Sequence, residues 1–166
     1  MTHKELIPIA YKWVLKNASC GVAFREFHTS NMEIPDVLGF NSWQSILIEC
    51  KASRADFLKD AKKMHRGDGK GMGMYRFYMC PTGLIKKEEL PEKWGLIYVS
   101  DKGKATCVYN PIKERGRYLT EEKKWERDNS FIRNMQAENA FMYSALRRMH
   151  LKGRLEEIYD KNYIYK

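Results

Sequence analysis

The chain has 166 residues, 43% hydrophobic and 31% charged, with a formal net charge of +9. That is one domain's length with material for a sizeable core. No apolar run approaches the ~20 residues of a membrane span, and Met1-Thr2-His3-Lys4-Glu5-Leu6 has no signal-peptide core, so a membrane is not an expected partner.

The excess of base fits a polyanionic partner, with solubility as the competing explanation. Cys20, Cys50, Cys80 and Cys107 are far apart, without CxxC or zinc-type spacing. This argues against a structural zinc site and fits reduced thiols in a cytoplasmic protein.

Residues 3–17 carry Leu6, Ile9, Ala10, Trp13 and Val14 at the spacing of an amphipathic helix, stopped by Asn17-Ala18-Ser19. Residues 22–28 read as a strand with Phe24, Glu26 and His28 on one face. Residues 34–40 read as a second strand, limited in its pairing by Pro35. After an Asn41-Ser42 turn, residues 45–51 form the third and most buried strand. Ser53 is a good N-cap with Asp56 three residues on, so a helix is expected from Arg54 to about His65, burying Ala55, Leu58, Ala61 and either Met64 or Phe57. The glycine-rich residues 67–73 fit neither GxGxxG nor the Walker A pattern and are expected to be mobile.

Residues 75–80 form a fourth strand, residues 85–90 a short helical turn, and residues 94–100 and 105–109 flank the hairpin signal Asp101-Lys102-Gly103. From Thr120 onward the pattern is helical, with Phe131, Met135, Ala140, Met142, Leu146 and Met149 on its apolar side. The fold class is α/β: a mixed central β-sheet flanked by helices, with a core over residues 1–110. A basic C-terminal helical extension over residues 111–166 packs on or beside that core in a single domain.

The chemistry concentrates at Asp36 and Glu49-Cys50-Lys51. Strand alternation puts Glu49 and Lys51 on one face and Ile48 and Cys50 on the other. An acid and an amine at the end of a buried strand are costly to desolvate unless they are paired or bound. With Asp36 on the neighbouring strand, Asp36, Glu49 and the Cys50 main-chain carbonyl are candidate ligands for Mg²⁺. Lys51 is then placed to orient water and stabilise a scissile phosphate. The competing reading is a partly buried Glu49–Lys51 ion pair beside a turn begun by Asp36.

Arg54, Lys62, Lys63, Arg66, Lys70 and Arg76 lie next to this cluster in sequence, where a phosphate backbone would approach; solvated helix surface is the alternative. Tyr75 and Tyr78 are candidates for stacking on unpaired bases or for strand packing. His28 and His65 are candidates for metal or phosphate contact, or are structural. The C-terminal Arg133, Arg147, Arg148, Lys152 and Arg154 would clamp a duplex, pack on the sheet or form a homodimer contact through the C-terminal helices. Met135, Met142 and Met149 recur every seven residues, which suits helix packing.

Pro35-Asp36 followed by Glu49-Cys50-Lys51, on strands after a first helix and strand, resembles the PD-(D/E)XK nuclease superfamily. The run Glu49-Cys50-Lys51-Ala52-Ser53-Arg54-Ala55-Asp56-Phe57, followed by Asp60, is similar to the E-x-K-x-S-x-x-D-F pattern of its MmcB-like DNA-repair group. The VRR-NUC branch is a looser match. The resemblance spans roughly residues 3 to 109. It implies a restriction-endonuclease-like core that binds Mg²⁺ or Mn²⁺ and hydrolyses nucleic acid, DNA rather than RNA, through metal-activated water. Asp36 and Glu49 would be metal ligands and Lys51 the catalytic lysine.

Many members add a carboxylate from the first helix or strand. Glu5 and Glu26 are the candidates here, Glu26 ranking first because it shares a face with Phe24 and His28. Lys62-Lys63-Met64 stands where the MmcB-like pattern carries a tryptophan, and the residues after Asn110 have no counterpart. The alternative is a module, of phage or mobile-element origin, that keeps the nuclease fold and binds nucleic acid or protein without turnover.

Overall fold

Helix α1 (His3–Asn17) begins where a capping box closes. Thr2 Oγ1 accepts the Glu5 N–H at 3.4 Å and Glu5 Oε2 accepts the Thr2 N–H at 2.6 Å, filling amides that the first turn leaves orphaned. Leu6, Ile7, Ala10, Trp13 and Val14 form its buried face. In the computed structural model, which describes residues 1–29, 33–60, 69–111 and 130–159, that face covers one side of a six-stranded sheet.

The strands are β1 (Val22–Arg25), β2 (Val37–Phe40), β3 (Ser45–Cys50), β4 (Tyr75–Pro81), β5 (Trp94–Val99) and β6 (Ala105–Tyr109), and their spatial order is their chain order. β1, β2 and β3 form an antiparallel meander, β3, β4 and β5 run parallel, and β6 returns antiparallel. Parallel neighbours need crossovers. Helix α2 (Arg54–Asp60) lies in the β3–β4 connection, and a 3-10 turn (Lys87–Glu89) lies between β4 and β5. The β5–β6 hairpin turns at Gly103 (φ +75°), whose N–H bonds to the Ser100 carbonyl at 2.8 Å. Among the described residues, no helix is long and apolar enough to cross a membrane.

The sheet is covered on both faces. Val37, Ile48, Cys50, Phe77 and Ile97 pack under α1, while Leu38, Leu47, Tyr78, Trp94 and Leu96 pack against Phe57, Phe131 and Phe141 on the other side. Every residue of β3 is therefore buried, as a strand covered on both faces requires.

Helix α3 (Met135–Leu151), capped by Asn134 accepting the Ala137 N–H at 3.0 Å, docks on the second face. Phe141 inserts among Phe24, Phe27 and Phe40, with ring centroids 5.3, 4.9 and 6.1 Å away. One turn earlier, the buried Glu138 carboxylate accepts from Ser45 Oγ at 2.6 Å and the Gly73 N–H at 2.9 Å, and lies 3.4 Å from Arg133. Gly73 has φ +89°, and a Cβ there would lie 2.6 Å from the Leu47 Cβ, so only glycine fits.

Several boundaries and faces differ from the sequence expectations. β1 ends at Arg25 because Glu26 takes φ +45° and gives its N–H to the Asp36 carbonyl at 3.0 Å. β2 starts at Val37 rather than at residue 34. Helix α2 buries Phe57 and Asp60, and Leu58 is 58% exposed. Helix α3 turns Phe141 and Glu138 inward, leaving Met135 and Leu146 exposed.

The described part of the glycine-rich stretch is tied to the core from Gly71 to Gly73. Met72 is fully buried, its N–H bonds to Glu33 at 2.7 Å, and the Gly71 carbonyl accepts from Asn134 at 2.9 Å. The expected helical onset at Thr120 and the expected buried Ala61 and Met64 lie outside the described residues. Phe141→Ala should destabilise the protein by about 3–5 kcal/mol in urea unfolding. Leu146→Ala, on the face the sequence pattern had pointed inward, should change stability by less than about 0.5 kcal/mol.

Candidate active site

The antiparallel register sets Val37 opposite Ile48, so the next step outward brings Asp36 alongside Glu49. Asp36 Oδ2 accepts the Cys50 N–H at 2.7 Å, and its Oδ1 lies 3.1 Å from His3 Nε2 in the first turn of α1. On the other flank, β3 runs parallel to β4 with Glu49 beside Tyr78, and the Lys51 N–H bonds to the Met79 carbonyl at 2.8 Å. That bond carries strand geometry one residue past β3, so Lys51 keeps to the face of Glu49. Its Nζ lies 3.3 Å from Glu49 Oε2, 2.8 Å from Asp60 Oδ1 and 4.0 Å from Asp56 Oδ1.

The two aspartates stand one helical turn apart on α2 and so point the same way. That helix starts at Ser53, whose Oγ accepts the Asp56 N–H at 3.2 Å. Asp60 Oδ2 accepts from the Tyr78 hydroxyl at 2.8 Å.

Charge and burial set the protonation of these groups. Burial raises the Asp36 carboxyl above its ordinary value and the charge of Glu49 raises it further, against the opposing pull of the Cys50 N–H and His3. Burial alone would lower the Lys51 ammonium. Glu49, Asp60 and Asp56 together overcome that and leave it raised, so Lys51 stays protonated across the neutral range. Burial, then Asp36 and Glu49, push the Cys50 thiol well up, which leaves it a neutral packing group.

The structure thus sets Asp36 and Lys51 each beside Glu49. Glu26 is exposed at the rim, close enough for its charge to reach Cys50. Glu5 is not in the cluster: its carboxylate is committed to Thr2 in the capping box. Arg76, expected at a nucleic-acid surface, is fully buried. It donates to the carbonyls of Gly73 at 3.1 Å and Gly71 at 3.0 Å, and its guanidinium lies 4.1 Å from the Phe131 ring centroid.

Arg54 forms an exposed pair with Glu89 at 2.6 Å, and Lys70 is exposed. Lys62, Lys63, Arg66 and His65 lie outside the described residues. Tyr75 and Tyr78 are buried and pack in the sheet, which removes them as base-stacking platforms. His28 is exposed, with its carbonyl accepting from Arg148. His3 and Tyr78 had no place in the sequence reading of the cluster, Asp56 figured only as a capping residue and in the motif pattern, and Asp60 only in that pattern.

Among the described residues, no group of three or more His, Cys, Asp or Glu side chains is arranged to hold a metal ion. The register sets the carboxylates of Asp36 and Glu49 side by side, and those of Asp56 and Asp60 approach Lys51 from α2.

No family model and no curated protein matches the chain. Among solved structures it is similar to the SPO1766 protein of unknown function from Silicibacter pomeroyi. The two are 22% identical over 95% of this chain and 94% of that one, with a TM-score of 0.48.

Two stability predictions follow from the charges. A carboxyl raised in the folded state stabilises the fold at low pH, and that contribution is lost as pH rises through the folded value. In EDTA at neutral pH, Asp36→Asn should therefore raise Tm by about 2–4 °C in a chain of this size. The gain should shrink as pH is lowered toward the ordinary aspartate value of about 3.9. Lys51→Ala leaves the carboxylates of Glu49 and Asp60 buried without their ammonium, and should cost about 3–5 kcal/mol in chemical denaturation.

Proposed function

We propose that this chain is a metal-dependent nuclease of the PD-(D/E)XK type, built on a restriction-endonuclease-like core and acting on DNA rather than RNA. The observation that carries the reading is the placement of Asp36 and Lys51 each beside Glu49 at the end of β3. Lys51 Nζ lies 3.3 Å from Glu49, and the charge of Glu49 is felt at Asp36. The element order, one helix, three antiparallel strands, a helix and then a parallel strand, supports it as well.

The donor set fits Mg²⁺ or Mn²⁺: Asp36, Glu49 and the Cys50 carbonyl are hard oxygen ligands, and the charge of Glu49 acts on Asp36 where a cation would offset it. A cation bound there supplies Lewis-acid activation of water and neutralises charge building at phosphorus. The chain's own residues do the rest. The Cys50 N–H and His3 fix the orientation of Asp36. Lys51, kept protonated, serves as a charged donor to a phosphoryl oxygen rather than as a base.

The burial of Lys51, only 2% exposed and bonded to Asp60, favours a second reading, a nuclease fold that binds nucleic acid or protein without turnover. A plasmid assay separates the two. The nuclease reading expects nicking with Mg²⁺ or Mn²⁺, none in EDTA, and a loss of about 10²–10³ in rate for Lys51→Ala that remains folded. Calorimetry should show weaker Mn²⁺ binding by Asp36→Ala. Wild-type protein that binds DNA in a salt-sensitive manner and yields no product under either metal would establish the second reading.

A further inference from the structure

We infer that Asp60 and Tyr78 are positioning residues for Lys51, a two-step hydrogen-bonded strut that sets where the ammonium stands relative to Glu49. The inference rests on the nuclease reading and deepens it.

A lysine side chain is a flexible four-carbon stem, and an ammonium useful at one point in space has to be held there. Among the described residues, two groups hold this one at hydrogen-bonding distance: Glu49 at 3.3 Å and Asp60 at 2.8 Å. Asp56, at 4.0 Å and half exposed, is too distant to fix it. Asp60 is fully buried, where a carboxylate is tolerated only if its oxygens are satisfied. Both are: Oδ1 takes the Lys51 ammonium and Oδ2 takes the Tyr78 hydroxyl at 2.8 Å.

Tyr78 in turn has little freedom. Its ring stacks on Trp94 with centroids 4.1 Å apart and planes 15° from parallel, and it meets Phe57 edge-on at 5.2 Å. The position of the phenol is therefore set by β4 and β5, that of the carboxylate by the phenol and α2, and that of the ammonium by the carboxylate. A buried ion pair serving stability alone is commonly replaceable by apolar side chains at no loss. A strut aimed at a reacting group has a different signature, because losing one hydroxyl would loosen the ammonium while the packing stays intact.

The test compares wild type with Tyr78→Phe, and with Asp60→Asn as the second variant, in steady-state DNA cleavage with Mn²⁺. Mn²⁺ calorimetry, thermal melts and ¹H–¹⁵N spectra of the lysine ammonium groups accompany it. Tyr78→Phe is expected to lower kcat about tenfold with KM within about twofold. Mn²⁺ affinity should be unchanged, and the Lys51 ammonium resonance should shift or broaden. Asp60→Asn, where it folds, should lower kcat further in the same pattern.

Wild-type kcat in Tyr78→Phe, or a loss confined to KM or Mn²⁺ affinity, overturns the strut and leaves the nuclease reading standing. Should Tyr78→Phe not fold, an unchanged kcat in folded Asp60→Asn overturns it equally. Wild-type protein that fails to cleave under either metal overturns both.

Discussion

Lys51 carries its ammonium at the end of a strand with every residue buried, and the cost of removing that charge from water shapes the surrounding structure. Desolvation of a lone ammonium amounts to several kcal/mol, enough to neutralise the group or unfold the segment. The cost is met by acids from two directions, Glu49 on the same strand face and Asp60 with Asp56 from the following helix. This explains why α2 turns a carboxylate toward the sheet where an amphipathic helix would place an apolar side chain. It also explains why β4 carries a tyrosine whose hydroxyl reaches the second oxygen of that carboxylate.

The opposite end of the sheet is organised by another buried charge. Glu138 on α3 gathers the Ser45 hydroxyl, the Gly73 amide and Arg133, while Phe141 on the same helix fills the aromatic pocket of β1 and β2. Ser45 and Lys51 bracket β3, so one polar network sits at each end of the central strand with apolar packing on both faces between them. A network fully satisfied in this way specifies one arrangement of the elements. That helps make Asp36 and Glu49 neighbours by construction rather than by loop conformation.

Much of this was legible in the sequence, because alternation and turn chemistry are local. The cap at Thr2 apart, the α1 helix, the order of strands and the adjacency of Asp36 to Glu49 follow from period, from Pro35 and from the Asn41-Ser42 turn. The errors around buried charge share one cause: a charged letter shows its chemistry and conceals its exposure. Arg76 read as surface base, yet the Gly71 and Gly73 carbonyls draw it inside. Leu58 read as core, yet the inner face of α2 is set by Asp60, which a buried Lys51 requires nine residues later. Taking the burial of Lys51 as a demand for a second acid would have found it. For α3 the seven-residue methionine repeat outweighed a single phenylalanine, because the aromatic partners of Phe141 lie about a hundred residues away in β1, just after it and in β2, and no local pattern encodes them.

The distribution of charge bears on how a polyanion would meet this protein. The whole chain carries +9, while among the described residues Asp36, Glu49, Asp56 and Asp60 outnumber the one ammonium beside them. As phosphate comes within the screening length of about 8–10 Å, the net positive field of the chain attracts it. At contact the local carboxylates dominate and repel it, most strongly where burial weakens screening. In the proposed reading a divalent cation shared by Asp36 and Glu49 would cancel the charge of that pair and weaken the repulsion where Lys51 stands. The same pair of acids that burdens the empty fold would then make productive approach of the backbone conditional on metal, which is a more selective arrangement than a uniformly basic groove.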